Sequence, residues 1–219
     1  MIPPMGPVLV ASSIFASDFS CLSHEVRRAE EAGTDWLHLD VMDGNFVDNI
    51  SFGPEFVNAT RRNTTLPIDV HLMIRRPDHY LSRFSNAANN ITVHVEVEHD
   101  VRATLAGIRE AGCTAGLALN PATPFSEVEP FLDWLDLLLV MTVHPGFNGQ
   151  PFRPEMMHKV HAAAAARESR KLDFRIQVDG GINAETAKIS IDAGAELLVA
   201  GSFVFGQEDM AEAIEALRP

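Results

Sequence analysis

Short apolar runs rich in aliphatic and β-branched residues recur along this chain at 8–15, 36–42, 68–74, 91–97, 115–120, 137–143, 174–179 and 197–202. Between them lie segments of helical character at 21–32, 54–62, 78–88, 101–111, 124–134, 154–168, 184–193 and 208–217. Strand and helix thus alternate eight times, the pattern of βα units feeding a parallel sheet. A faint repeat supports it: EEAGTDWLHL, REAGCTAGLAL and DAGAELLVA each close a helix on Ala-Gly and then enter a strand. Gly33, Gly112 and Gly194 suit helix C-caps, and Pro54, Pro77, Pro124 and Pro154 suit helix first turns. An open dinucleotide-binding sheet needs a Gly-x-Gly-x-x-Gly turn after its first strand, which this chain lacks. Eight units in 219 residues predict an α/β fold, a single-domain TIM (β/α)8 barrel spanning 1–219.

Side chains alternate across a strand, so in WLHLDVMDG the residues His38, Asp40 and Met42 share one face, and Leu37, Leu39 and Val41 the other. In DVHLMI, Asp69, His71 and Met73 oppose Ile68, Val70 and Leu72; in IQVDGGIN, Gln177 and Asp179 oppose Ile176 and Val178. One face of several strands is therefore polar, and carboxylates buried beneath helices need partners. His38, Asp40, His71 and Asp179 lie at the C-terminal ends of the second, third and seventh strands, where barrels assemble their active sites. Two imidazoles and two carboxylates suit one divalent metal ion, Zn2+, Fe2+, Mn2+ or Co2+, with its identity left open. His24, His79, His99, His158 and His161 fall in predicted helices or loops and read as ordinary packed or surface histidines. A metal flanked by carboxylates from opposite sides of a barrel suits proton removal beside a carbonyl. The ion acts as Lewis acid for an enediolate, Asp40 and Asp179 exchange protons on opposite faces, and a stereocentre inverts.

Composition narrows the partners. The formal net charge of −13 argues against nucleic acid or an anionic membrane surface, and no run approaches a membrane span. MIPPMGPVLV has no basic region before an apolar run, so the protein reads as cytoplasmic. Cys21 and Cys113 belong to no motif and read as buried thiols, not as a disulfide framework or a four-cysteine metal site. An anionic small molecule remains compatible with the charge, because backbone N–H groups at glycine turns and helix N-termini hold phosphate without Lys or Arg. The late strands lead into HPGFNGQPF, DGGIN and AGSFVFG. Loops after the seventh and eighth strands are the usual phosphate grip of a barrel, which selects Gly180, Gly181, Gly201 and Ser202. The segment 145–149 is long enough to close over a substrate, with Gly146 and Gly149 as hinges. Met42, Met73 and Met141 sit at strand ends, placed to form an apolar rim that excludes water.

Longer motifs now speak together. HLDVMDGNFVDNISFGP (38–54), DVHLM (69–73), LNPATP (119–124), VDGGIN (178–183) and VAGSFVFG (199–206) run nearly from end to end, and the chain closely resembles the ribulose-phosphate 3-epimerases. The resemblance implies a ribulose-phosphate-binding barrel that interconverts D-ribulose 5-phosphate and D-xylulose 5-phosphate. It implies that His38, Asp40, His71 and Asp179 hold the metal, with Asp40 and Asp179 the acid–base pair. Ser13, His71, Met42, Met73 and Met141 would contact the phosphorylated ketose, whose phosphate would be lined by Gly146, Phe147, Asn148, Gly149, Gly180, Gly181, Gly201 and Ser202. It also implies a homo-oligomer. Two positions depart from the family's usual VNPGFGGQ, since VHPGFNGQ places His144 and Asn148 in the closing loop. VMTVHPGFNGQPFRPEM is similar to the allulose-6-phosphate 3-epimerase branch, which performs the same inversion on a longer ketose phosphate, whereas VDGGIN and VAGSFVFG are closer to the pentulose enzymes.

Other classes fit less well. Schiff-base or lysine-dependent barrel chemistry needs a strand-end lysine, but Lys159, Lys171 and Lys188 fall in predicted helices or their flanks. Met42 stands where an Asp-x-Lys motif would place its lysine. A non-catalytic sugar-phosphate-binding barrel has no need for two carboxylates.

Overall fold

The computed structural model describes residues 7–218; residues 1–6 and 219 of the expected 1–219 domain, and with them most of MIPPMGPVLV, lie outside the described residues. Eight parallel strands form a closed barrel in sequence order: β1 (Leu9–Ser13), β2 (Trp36–Met42), β3 (Ile68–Met73), β4 (Asn90–His94), β5 (Thr114–Leu119), β6 (Leu137–Met141), β7 (Arg175–Asp179) and β8 (Leu197–Ala200). The α-helices are α1 (Leu22–Glu31), α2 (Pro54–Arg61), α3 (Leu81–Phe84), α4 (Val101–Glu110), α5 (Met157–Arg170), α6 (Ala184–Asp192), α7 (Ser202–Phe205) and α8 (Met210–Glu215).

The alternation read from sequence places the two faces. Val10, Leu37, Leu39, Val70, Ile91, Val93, Leu117, Leu138, Val140, Ile176 and Leu198 point outward into the apolar layer shared with the helices. Residues of opposite parity point into the barrel. Parallel pairing sets Asp40 beside His71, Met42 beside Met73, Ser13 beside His38 and Met141 beside Asp179, so the strand ends meet at one mouth. Among the described residues no helix is long and apolar enough to cross a membrane. Both cysteines are free, but only Cys113 is buried; Cys21, just before α1, is half-buried.

Several predicted elements differ in extent. The helix expected at 124–134 is two 3-10 turns, Phe125–Glu127 and Glu129–Trp134. Pro130 supplies the reason, because it removes one N–H and its ring blocks a continuing α-helix; Pro124 precedes the first turn as its N-cap. The helix expected at 78–88 shrinks to Pro77–His79 and α3. Asn89 is drawn instead into the sheet edge, where its N–H and Oδ1 bond Ile68. The strand expected at 91–97 stops at His94, as the chain turns to bring Glu96 back against His94. The last strand ends at Ala200, and Ser202 opens α7. Gly33, Gly112 and Gly194 adopt positive φ just beyond α1, α4 and α6, as helix-terminating glycines do.

Candidate active site

At the C-terminal mouth lies a cavity of about 520 Å3, within the size range of small-molecule sites. Its wall includes every residue expected to touch substrate except His71: Ser13, Met42, Met73, Met141, Gly146, Phe147, Asn148, Gly149, Gly180, Gly181, Gly201 and Ser202, together with Asp40 and Asp179. His71 stands apart from that wall. It is fully buried and sits beneath the floor, reaching the site only through its ring nitrogen beside Asp40. His38 is buried in the same layer.

The floor is a dense polar network. Asp69 accepts hydrogen bonds from Asn90 Nδ2 at 2.7 Å and Gln177 Nε2 at 2.8 Å, and faces His38 Nδ1 at 2.8 Å. Occupied in this way, Asp69 accepts a hydrogen bond from His38 Nδ1–H, which turns the other ring nitrogen inward. His38 Nε2 then lies 3.1 Å from Asp40 Oδ1 and 4.0 Å from Asp179 Oδ2. His71 Nδ1 approaches the same Asp40 Oδ1 at 3.0 Å, while Ser13 Oγ donates to Asp40 Oδ2 at 2.8 Å.

Electrostatics separate the two carboxyl groups. Burial pushes Asp179 up to about 7, helped by the nearby Asp40 charge. Burial opposes ionisation of Asp40 too, but the imidazoles of His38 and His71 hold its carboxyl well below the ordinary range. Burial lowers His71 to about 4. His38 is raised well above its ordinary value despite burial, because Asp40 and Asp69 flank it.

The donor set fits a divalent cation. One ligand atom from each of His38, Asp40, His71 and Asp179 lies within 4.8 Å of all the others, the scale of one coordination sphere with bonds of about 2.0–2.2 Å. Two imidazole nitrogens crowd a single carboxylate oxygen, an arrangement that calls for positive charge between them. The raised affinity of His38 for a proton is the same demand met by H+. A carboxylate behind a ligating imidazole is the usual second layer of such sites, and Asp69 supplies it.

The rim follows from backbone chemistry. Gly180 has φ +124, and a Cβ there would stand 2.5 Å from Val143 Cγ2; Gly181 has φ +67, and a Cβ there would stand 2.5 Å from Phe152 N. Only glycine lets the chain pass this close. Asn183 caps α6 through hydrogen bonds from the N–H groups of Glu185 and Thr186. Over the cavity, the 145–149 loop is tied down at two points: Asn148 Nδ2 donates to the Phe15 carbonyl at 3.0 Å, and Asn49 Nδ2 to the Gly146 carbonyl at 2.6 Å. His144 faces away, its Nε2 2.6 Å from Arg153. Among the described residues no Lys or Arg lines the cavity.

Sequence reasoning missed His94. It is buried on β4, its Nε2 2.8 Å from His71 Nε2 and its Nδ1 2.9 Å from Glu96 Oε2. The signal was present, since His94, like His38 and His71, has an acidic residue two positions away. Lys159 lies in the expected helix, but its ammonium is buried and reaches the loop after β5, donating to the carbonyls of Asn120, Pro121 and Thr123.

Comparison with known proteins converges on one family. The model of the "Ribulose-phosphate 3 epimerase family" matches residues 9–205. The ribulose-phosphate 3-epimerase of Bacillus subtilis is 47% identical over 213 residues, covering 96% of this chain and 98% of its own. That of Synechocystis is 45% identical, with 96% and 93% covered, and the chloroplastic enzyme of Arabidopsis thaliana 42% identical, with 96% and 76% covered. Among solved structures, KGPDC from Streptococcus mutans superposes with TM-score 0.70 at 13% identity, covering 97% of this chain and 96% of that one. A 3-hexulose-6-phosphate synthase gives 0.66 at 16%, covering 96% and 98%. At such identities these two share the barrel fold alone.

Proposed function

The chain belongs to the ribulose-phosphate 3-epimerase family, and on that premise we propose that it interconverts D-ribulose 5-phosphate and D-xylulose 5-phosphate by moving the proton at C3. The observation that carries the reading is the pair Asp40 and Asp179, two carboxyl groups in one cavity whose surroundings push their proton affinities apart. Paired groups separated in this way mark the base and the acid.

Asp40, held ionised, takes the C3 proton. Asp179, held protonated, returns one to the opposite face, so the centre inverts; the reverse reaction exchanges the roles. The two groups project from β2 and β7, which β1 and β8 separate in the ring, as attack from two sides requires. Ser13 steadies Asp40 through its hydroxyl. His38, Asp40, His71 and Asp179 would hold a divalent cation, which supplies Lewis-acid stabilisation of negative charge developing on the substrate oxygens. Met42, Met73 and Met141 form the apolar wall that keeps water from the reacting carbon. Gly146, Phe147, Asn148, Gly149, Gly180, Gly181, Gly201 and Ser202 receive the phosphate end, where glycine backbone approaches closely.

NMR in D2O with D-ribulose 5-phosphate tests the reading, with D-allulose 6-phosphate in parallel because the 140–156 segment resembles that branch. Deuterium entry at C3 and C3 epimer formation from the pentulose are expected, both lost with chelator and restored by metal. Preference for the hexulose would move the chain to the longer ketose. Binding without exchange would return it to a non-catalytic barrel.

A further inference from the structure

The phosphate end of the cavity has to hold an anion without a cation, since among the described residues no Lys or Arg lines it. Backbone N–H groups of its glycine turns are donors of the kind that suits phosphate, and a peptide offers its N–H to one side only when its carbonyl is turned to the other. Two side chains hold such carbonyls. Asn49 Nδ2 donates to the Gly146 carbonyl at 2.6 Å, and Thr142 Oγ1 donates to the Gly180 carbonyl at 2.7 Å. Gly146 and Gly180, with φ +127 and +124, line the cavity, whereas Asn49 and Thr142 do not. Each carbonyl is therefore drawn outward, away from an incoming anion. Every peptide bond among the described residues is trans, so the N–H on the far side of the same plane points the opposite way. Those N–H groups belong to Phe147 and Gly181, both in the cavity wall, and among the described residues neither donates to a backbone acceptor.

We infer that Asn49 and Thr142 are positioning residues of the phosphate end: by holding the Gly146 and Gly180 carbonyls outward, they aim the Phe147 and Gly181 N–H groups at the anion. They also strengthen those donors, because hydrogen bonds in series polarise one another. Both side chains stand on fixed platforms. Thr142 is fully buried, its own N–H donating to the Asp179 carbonyl at 2.8 Å and its carbonyl accepting the Arg153 N–H at 2.9 Å, so its hydroxyl is clamped between β6 and β7. Asn49 is braced within its turn, its Oδ1 accepting the Ile50 N–H at 2.9 Å and its carbonyl the Gly44 N–H at 2.9 Å. Gln150 extends the pattern by one peptide, its Nε2 donating to the Phe147 carbonyl at 2.9 Å.

Both roles rest on the reading that this end of the cavity receives phosphate, and inorganic phosphate tests them without any turnover. In amide NMR of nitrogen-15-labelled protein, titration with inorganic phosphate is expected to shift the Phe147 and Gly181 N–H signals of the wild type. Thr142→Val keeps the shape of the side chain and removes the donor. It should weaken phosphate by about 10-fold, the lower end for losing one hydrogen bond to a charged group, and shrink the shift at Gly181 while sparing Phe147. Asn49→Ala should weaken phosphate similarly, with the loss at Phe147 and Gly181 spared. Thr142→Ser retains the hydroxyl and should return both the affinity and the Gly181 shift to wild type, which a loss of packing alone would not predict. Wild-type phosphate affinity in T142V or in N49A overturns the role of that residue, and T142S as weak as T142V overturns the part given to the hydroxyl. Should T142V fail to fold, N49A on the half-buried β2 loop decides. Wild-type Phe147 and Gly181 signals unmoved by phosphate sink both roles, even where C3 exchange of D-ribulose 5-phosphate proceeds. Shifts at both amides without C3 exchange would instead sink the proposed reaction and leave the two roles standing.

Discussion

The interior of this barrel is divided. On one side Ala11, Ala118, Leu137, Leu139, Met141, Leu197 and Val199, from β1, β5, β6 and β8, pack with Trp36 as an apolar core. On the other, His38, Asp40, Asp69, His71, Asn90, Thr92, His94 and Gln177, from β2, β3, β4 and β7, fill similar depth with polar groups. The first half gains stability from burial alone, at about 25 cal/mol per Å2 of apolar surface. The second half breaks even only because its groups bond one another, since an uncompensated buried polar atom costs about 1–3 kcal/mol. Gln177 marks the cost of the arrangement: its Nε2 serves Asp69, while its Oε1 has no hydrogen-bond partner. One half holds the barrel together, and the other spends stability on holding charge in place.

The sharpest test of that division substitutes one residue in each half. Asp179→Asn is expected to lower kcat by about 10²–10⁴-fold, the range for losing a general acid or base, with little change in the thermal midpoint; unfolding on this substitution would undo the catalytic assignment. Leu139→Ala should do the reverse, costing about 2–5 kcal/mol of stability in denaturant titration while kcat of the folded fraction persists. A large loss of kcat there would mean that the halves do not act separately.

A pH comparison sharpens the contrast further. The Asp179 carboxyl lies at about 7 in the folded chain against 3.8 for an ordinary carboxyl, so between those values the folded state binds the extra proton. Its contribution to stability is greatest at the acid end and falls as pH rises toward 7. In chelator-treated protein, wild type should lose more stability than D179N between pH 5 and pH 8; equal losses would remove the case for a protonated Asp179.

Smaller effects belong to the rim. Asn148→Gly removes the bond to the Phe15 carbonyl, and a loss of about 0.5–1.5 kcal/mol should raise KM several-fold; an unchanged KM would show that this tie does not hold the loop over the substrate. His144→Asn should leave the ratio of pentulose to hexulose efficiency unaltered, because its imidazole pairs with Arg153 outside the cavity. A shifted ratio would give the loop's surface a part in substrate choice.

Much of the site was legible in strand parity. His38, Asp40, His71 and Asp179 share the inward face because alternation is a local property of an extended chain, and the structure brings them together as that reading expects. Parity also separates Ile176 and Val178, outward, from Gln177, inward. What failed was local in appearance but tertiary in cause. The fifth helical segment broke into 3-10 turns at Pro130, and β4 stopped early so that Glu96 could fold back on His94. His94 carries the same local signal as its neighbours, with Glu96 two positions on. The placement of His71 beneath the floor had no sequence signal, since parity gives a side and not a depth.

Alternating apolar runs and helix punctuation, properties of consecutive residues, determined by themselves that this chain forms eight βα units with a polar inner face on β2, β3 and β7. Which nitrogen of His71 faces Asp40, that His144 points away from the cavity, and that Lys159 from α5 steadies a loop beyond β5 were decided only by tertiary structure. Each depends on the distance between groups far apart in the chain, set by barrel closure and strand register, and hydrogen-bond direction is meaningful only once those distances exist.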